Sequence, residues 1–170
     1  RYQYNREILS SLKATEFYES RNDYEKETEH LFNLKKRMDY HIALKEYMVR
    51  VLEYKEISYF ETARKLIEEK QWERAKKLYQ SILWINKENF EANYQLGIIS
   101  ITLQDIDGAA EYLNNAMRLK NDDPRVYYQM GVLEFTKGNI PKAIEYFTQA
   151  MKQKETGSSL YLYLGMSYEE

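Results

Sequence analysis

The sequence predicts an all-α solenoid of antiparallel helix pairs, and three observations predict it. Small residues recur at one fixed distance: Ala63, Gly97, Gly131 and Gly165 stand 34 residues apart. Ala75, Ala109 and Ala143 keep the same step, as do Tyr79, Leu113 and Phe147, and likewise Leu96, Met130 and Leu164 just before each glycine. Short polar pairs, Lys70 and Gln71, Gln104 and Asp105, Gly138 and Asn139, fall at that step as well. A period of this size marks units that cannot bury their own apolar face and must stack on a neighbour.

The elements follow in order. Ile8, Leu9, Leu12 and Phe17 are spaced as one face of a helix over residues 5–20, which the polar group Ser20, Arg21, Asn22 and Asp23 ends. From Tyr24 an apolar stripe, Leu31, Leu34, Met38, Ile42, Val49 and Leu52, fits one long helix or two shorter ones. Asp39, Tyr40, Ala43 and Tyr47 reproduce the spacing of Asn139, Ile140, Ala143 and Phe147, which favours two helices with a tight turn near Arg37 to Asp39. The organisation read from this is N-terminal helices over 1–55, with a degenerate unit at 24–55, then units at 56–89, 90–123 and 124–157. Each unit has a first helix, a polar turn and a second helix. Pro124 and Pro141 stand just inside helix starts, where a missing N–H costs nothing. Residues 158–170, with Leu160, Leu162, Leu164, Gly165 and Met166, form the first helix of a further unit or a capping helix.

Composition removes several function classes. The formal charge is −2 and the basic residues are interspersed with acidic ones, so no nucleic-acid footprint is expected. The longest apolar run, Leu96 to Leu103, is far short of the ~20 residues that span a bilayer. The absence of cysteine excludes thiol chemistry and disulfides and leaves the compartment open, with a cytoplasmic setting slightly favoured. The first residue is Arg1, from which a fragment or processed form is expected.

The repeated residues resemble the tetratricopeptide repeat, a helix–turn–helix unit with a small residue in the first helix and alanines on the second. The first-helix signature stands as Tyr94, Leu96, Gly97 and as Tyr127, Met130, Gly131; the second-helix signature stands as Ala109, Leu113, Ala116 and as Ala143, Phe147, Ala150. Gly97 and Ala109 are expected to mark a close helix crossing. The resemblance covers residues 56–170, and 24–55 less fully. Ser100 and Glu134 depart from it where an aromatic residue is usual, as does Ile82 where the second alanine is usual. It implies a right-handed alpha–alpha superhelix whose first helices line a concave groove.

Catalysis is not expected. No nucleophile–base pair, glycine-rich phosphate loop or H-E-x-x-H stands in the sequence. His30 and His41, the only histidines, have Glu27 nearby but no third ligand at metal spacing, so no metal or cofactor is assigned. Asp105, Asp107 and Gly108 resemble the start of a calcium loop, yet their place at a helix start suits capping.

A surface reading has more to work with. Tyr128, Val132 and Phe135 lie at i, i+4 and i+7 beside the face that Met130 and Gly131 use. The matching places hold Phe60, Arg64 and Ile67, then Tyr94, Ile98 and Ile101, then Leu162 and Met166, with Arg125 on the rim. The expected function is a protein-interaction scaffold that takes a partner's helix or extended peptide in this apolar, aromatic groove. The alternative is an assembly module mediating homo-oligomerisation, with self-association through the C-terminal helix; the uncapped face of that helix also suggests a chain continuing past Glu170. In some tetratricopeptide repeats, lysine and asparagine clamp a peptide's terminal carboxylate. Here those places hold Phe60, Arg64, Gln95, Arg125 and Gln129, so that function is not expected, although Arg64 and Arg125 suit an acidic group on a partner. Tyr40, Tyr47, Tyr59, Tyr79, Tyr127 and Tyr161 are assigned to the core.

Overall fold

A computed structural model of the chain describes residues 10, 13–15, 17–37, 42–153 and 157–169. Residues 13–15 and 17–20 are helical and end in a turn at Arg21 and Asn22, where the sequence placed it. Eight helices follow: α1 (Tyr24–Arg37), α2 (Ile42–Glu68), α3 (Trp72–Ile85), α4 (Phe90–Thr102), α5 (Ile106–Leu119), α6 (Pro124–Thr136), α7 (Ile140–Lys152) and α8 (Ser158–Glu169). No strand occurs among the described residues. Contacts divide the chain into Arg1–Lys87 and Glu88–Glu170.

Local chemistry sets the helix boundaries. Asn89 accepts the Ala92 N–H at 2.9 Å, Asp105 the Gly108 N–H at 3.0 Å and Asp123 the Arg125 N–H at 3.0 Å, so each of these helix starts is capped by a side chain. Asp105 is thus a cap. The turns joining the first and second helices of successive units share one geometry. Lys70, Gln104 and Gly138 have left-handed φ of 57°, 60° and 75°. The residue after each donates its N–H back to the helix: Gln71 to Leu66 O at 2.7 Å, Asp105 to Ser100 O at 2.8 Å and Asn139 to Glu134 O at 2.8 Å. This satisfies carbonyls that a helix end otherwise leaves open.

In the first unit, Leu31, Leu34 and Leu52 form one buried cluster, and Tyr59, Ala63, Ala75, Leu78, Tyr79 and Ile82 are buried as well. The expected turn near Arg37 to Asp39 falls largely on residues outside those described. The proposed unit start at residue 56 lies inside the unbroken helix α2. The segment Ile42–Glu68 contains no glycine or proline, so no backbone breaker stops helix propagation in it. A polar network crosses this unit. Glu27 is fully buried; Lys55 Nζ lies 2.6 Å from its Oε1, and the Tyr59 hydroxyl donates to its Oε2 at 2.8 Å. Lys55 also reaches Glu19 at 2.9 Å. His41 lies outside the described residues, and Glu27, the acid near His30 in sequence, is committed to Lys55 and Tyr59.

In the second unit, the close crossing falls one turn from where it was expected. A Cβ built on Gly97 would come within 2.5 Å of Leu113 Cδ2, so the residue facing Gly97 is Leu113 rather than Ala109. The next pair repeats this: a Cβ on Gly131 would lie 2.5 Å from Phe147 Cδ1. Ala109, Ala116, Ala143 and Ala150 are fully buried beside these contacts, where small side chains let the helices approach. Tyr59 and Tyr79 are core as expected, but Tyr161 is exposed. The α8 tyrosine that enters the core is Tyr163, whose ring stacks on Phe147 at 5.8 Å.

Candidate protein-interaction face

The first helices of the units carry the residues singled out in sequence. Phe60, Arg64 and Ile67 belong to the first unit. Phe60 is half-buried with its ring edge-on to Tyr79 at 5.7 Å, Ile67 is half-buried and Arg64 is exposed.

The second unit places the rest. Tyr94 is buried and stacks on Phe90 at 6.1 Å, with the Arg125 guanidinium 5.0 Å above its ring. Burial pushes the Tyr94 hydroxyl above its ordinary pKa. Ile98 and Ile101 are half-buried against the cluster of Phe90, Tyr94, Leu113 and Met130. Ile101 also touches the following cluster, built on Val132, Ala143, Phe147, Ala150 and Leu160. Val132 is buried there. Tyr128 is half-buried between Phe147 at 6.0 Å and Tyr163 at 6.2 Å, and Phe135 meets the Tyr163 edge at 5.4 Å. Leu162 is not brought to this group; it is exposed on the side of α8 away from Leu160. The structure therefore unites Tyr128, Val132 and Phe135 in one cluster and Tyr94 with Arg125 in another, with Ile101 touching both.

Arg125 is already engaged by acids of its own chain. Its Nε and Nη2 donate to the two Asp123 carboxylate oxygens at 3.0 and 2.8 Å, and Nη1 lies 3.6 Å from Glu91. The guanidinium holds the Asp123 carboxyl below its ordinary value, and the carboxylate raises Arg125 in turn. Two residues that sequence reasoning passed over shape this face. Lys120 Nζ sits 4.4 Å over the Phe90 ring, and Tyr163 covers the aromatic stripe of α6. Residues 129 and 95, one and two steps of 34 before Tyr163, are glutamines, so the repeat gave no signal for it.

Residues 66–133 match one family model described as tetratricopeptide repeat, and residues 124–156 match a second of the same description, so that together they span more than half of the chain. The chain belongs to the tetratricopeptide repeat family. Its helices form antiparallel pairs, as in that family. Solved tetratricopeptide repeat domains are similar in structure. The second such domain of human RPAP3, in complex with the HSP70 peptide SGPTIEEVD, is 14% identical, with 70% of this chain and 99% of that chain covered and a TM-score of 0.64. The TPR2B domain of yeast Sti1, in a complex with pHsp70, is 15% identical over 68% of this chain and 98% of that chain, with a TM-score of 0.63. MamA from Desulfovibrio magneticus RS-1 is 18% identical over 84% of each chain, with a TM-score of 0.63. At these identities the likeness concerns the fold. No curated protein sequence is a significant match. Among the described residues no helix is long and apolar enough to cross a membrane.

Proposed function

We propose that this tetratricopeptide repeat array is a protein-interaction scaffold without chemistry of its own, with repeats at 56–89, 90–123 and 124–157. In the second unit a partner's helix or extended segment lies along the first helices, against Ile98, Ile101, Tyr128 and Phe135. The observation that carries this is that these four apolar side chains, at repeat-related places on α4 and α6, are only partly buried after their unit has packed. Tyr94 and Val132 are buried and act as floor, which narrows the stripe expected from sequence. Solved domains of the same fold in complex with an HSP70 peptide and with pHsp70 support a binding role. The ligand proposed here is apolar rather than an acidic tail, because Arg125 is held by Asp123 and Glu91 and the lysine and asparagine positions are absent.

Selection from a random-peptide display library tests this. The expected binders are peptides with apolar residues at helical or alternating spacing, and Ile98→Ser or Phe135→Ser should weaken them about tenfold with the helical signal retained. Unchanged affinity in both variants would remove the groove. A second reading, an assembly module joining copies of the chain, is favoured by one observation: α8 turns an apolar face to solvent.

A further inference from the structure

In the first unit a cavity opens between the turn that leads into α1 and the exposed side of α3. It encloses about 300 Å³ and is lined by Arg21 to Glu25 and by Arg74 and Lys77. None of these residues belongs to the face proposed above for a partner. Neighbouring groups set its geometry. Asn22, at a left-handed φ of 55°, reverses the chain, and the Asp23 N–H returns to Tyr18 O at 3.0 Å. The Arg21 guanidinium is stacked 4.3 Å over the Phe17 ring. Arg74 Nη1 donates to the Gln71 side-chain oxygen, and the Tyr24 hydroxyl donates to Asn22 Oδ1 at 2.7 Å.

The charge at this cavity is not balanced from within. Among the described residues Arg21, Arg74 and Lys77 make no ion pair, and the partners of the two arginines, a ring and an amide, are neutral. Elsewhere Lys55, Arg125 and Lys137 each hold a carboxylate, at 2.6, 2.8 and 2.8 Å. Of the two acids at the wall, Asp23 is taken by Lys26 at 2.9 Å, so Glu25 alone is left to oppose the three cations. Cations gathered in this way repel one another, and an anion seated among them removes the repulsion. Arg21 comes from the turn, whereas Arg74 and Lys77 stand three residues apart on one side of α3, so donors approach from different directions. A phosphate monoester, with three acceptor oxygens and close to two charges, meets such a set more fully than a planar carboxylate does.

We propose that this cavity binds a phosphate monoester carried on a side chain of a protein partner, with Arg21, Arg74 and Lys77 as its donors. The protein source rests on the scaffold reading above; the site itself does not use the groove. A nucleic acid is disfavoured, because one isolated cluster on a chain of net charge −2 does not track a phosphate backbone. All three cations are exposed, so solvent screens each contact and the isolated group binds with a Kd on the order of 1 mM.

Amide NMR titration of the whole chain at low ionic strength tests this, with inorganic phosphate, a short uncharged peptide bearing one phosphoserine, and acetate as probes. Saturable shifts should centre on Arg21 to Glu25 and on Arg74 and Lys77, with phosphate and the phosphopeptide binding more tightly than acetate. Arg74→Gln and Lys77→Gln, both at exposed side chains, should each weaken the phosphopeptide about 3-fold and together about 10-fold, with unchanged circular dichroism. Ile98→Ser, which alters the groove, should leave phosphopeptide affinity intact, so failure of one reading is distinguishable from failure of the other. No saturation up to about 20 mM, acetate binding as tightly as phosphate, or an affinity in the double variant equal to the parent would each overturn the proposal. Binding of inorganic phosphate with the phosphopeptide excluded would overturn the protein source.

Discussion

Gly97, Gly131 and Gly165 hold the same place in successive units, yet the same substitution should act differently at each. Alanine adds helix propensity worth about 1 kcal/mol over glycine, and overpacking a tight contact costs about 1–3 kcal/mol. At Gly97 the added carbon presses on Cδ2 and on the branch carbon Cγ of the fully buried Leu113; at Gly131 it presses on the rigid ring of Phe147. At Gly165 it meets nothing within 4 Å. Chemical denaturation should therefore rank Gly165→Ala as stabilising by about 0.5–1 kcal/mol, Gly97→Ala as destabilising, and Gly131→Ala as the most destabilising. A common effect at all three would deny that the crossings differ in what fills them. The spacing of these glycines is visible in sequence. Which side chain presses on each is not, because that depends on the rotation of the second helix, and the crossing came one turn beyond Ala109.

At the scale of elements, the α6–α7 hairpin shows how a departure from the family pattern is accommodated. Glu134, where an aromatic residue is usual, is buried and accepts hydrogen bonds from Lys137 Nζ at 2.8 Å and Asn139 Nδ2 at 2.9 Å. It fastens the turn. Burial pushes its carboxyl up, but these donors outweigh burial and hold it below its ordinary 4.5. Asp123 at the start of α6 is held below 3.8, chiefly by the hydrogen bond from Arg125. Both folded values lie below the unfolded ones, so the stability they supply is complete above the unfolded values and is lost as pH falls through the folded ones. The amide signals of Gly131 and Ala143 should show constant stability from pH 7 to about 5 and a decline below about 4.5, with a shallower decline in Glu134→Gln. An unchanged acid slope in that variant would refute the assignment. The helix-pair turns were legible because polar residues and the 34-residue step coincide at them. The continuity of α2 was less so: the repeat step suggests a start at residue 56, while the local sequence simply keeps propagating a helix.

For the whole molecule, the repeat and its family were readable from spacing alone, since stacking imposes the same small and large residues on every unit. The face proposed for interaction was readable only in part. Sequence places Tyr128 and Phe135 on one side of a helix, but their covering by Tyr163 comes from another helix at a position the repeat does not mark. Likewise Arg125 reads as a rim cation until Asp123 and Glu91 are found beside it. The account stands on helix pairs that recur with a single step along the chain. Nuclear Overhauser contacts test this most directly. We expect cross-peaks from the Gly97 α-protons to the Leu113 methyls and from the Gly131 α-protons to the Phe147 ring, the same pairing shifted by 34 residues. If either glycine instead met a different helix, the two crossings would not be copies of one another and the repeat architecture would be wrong.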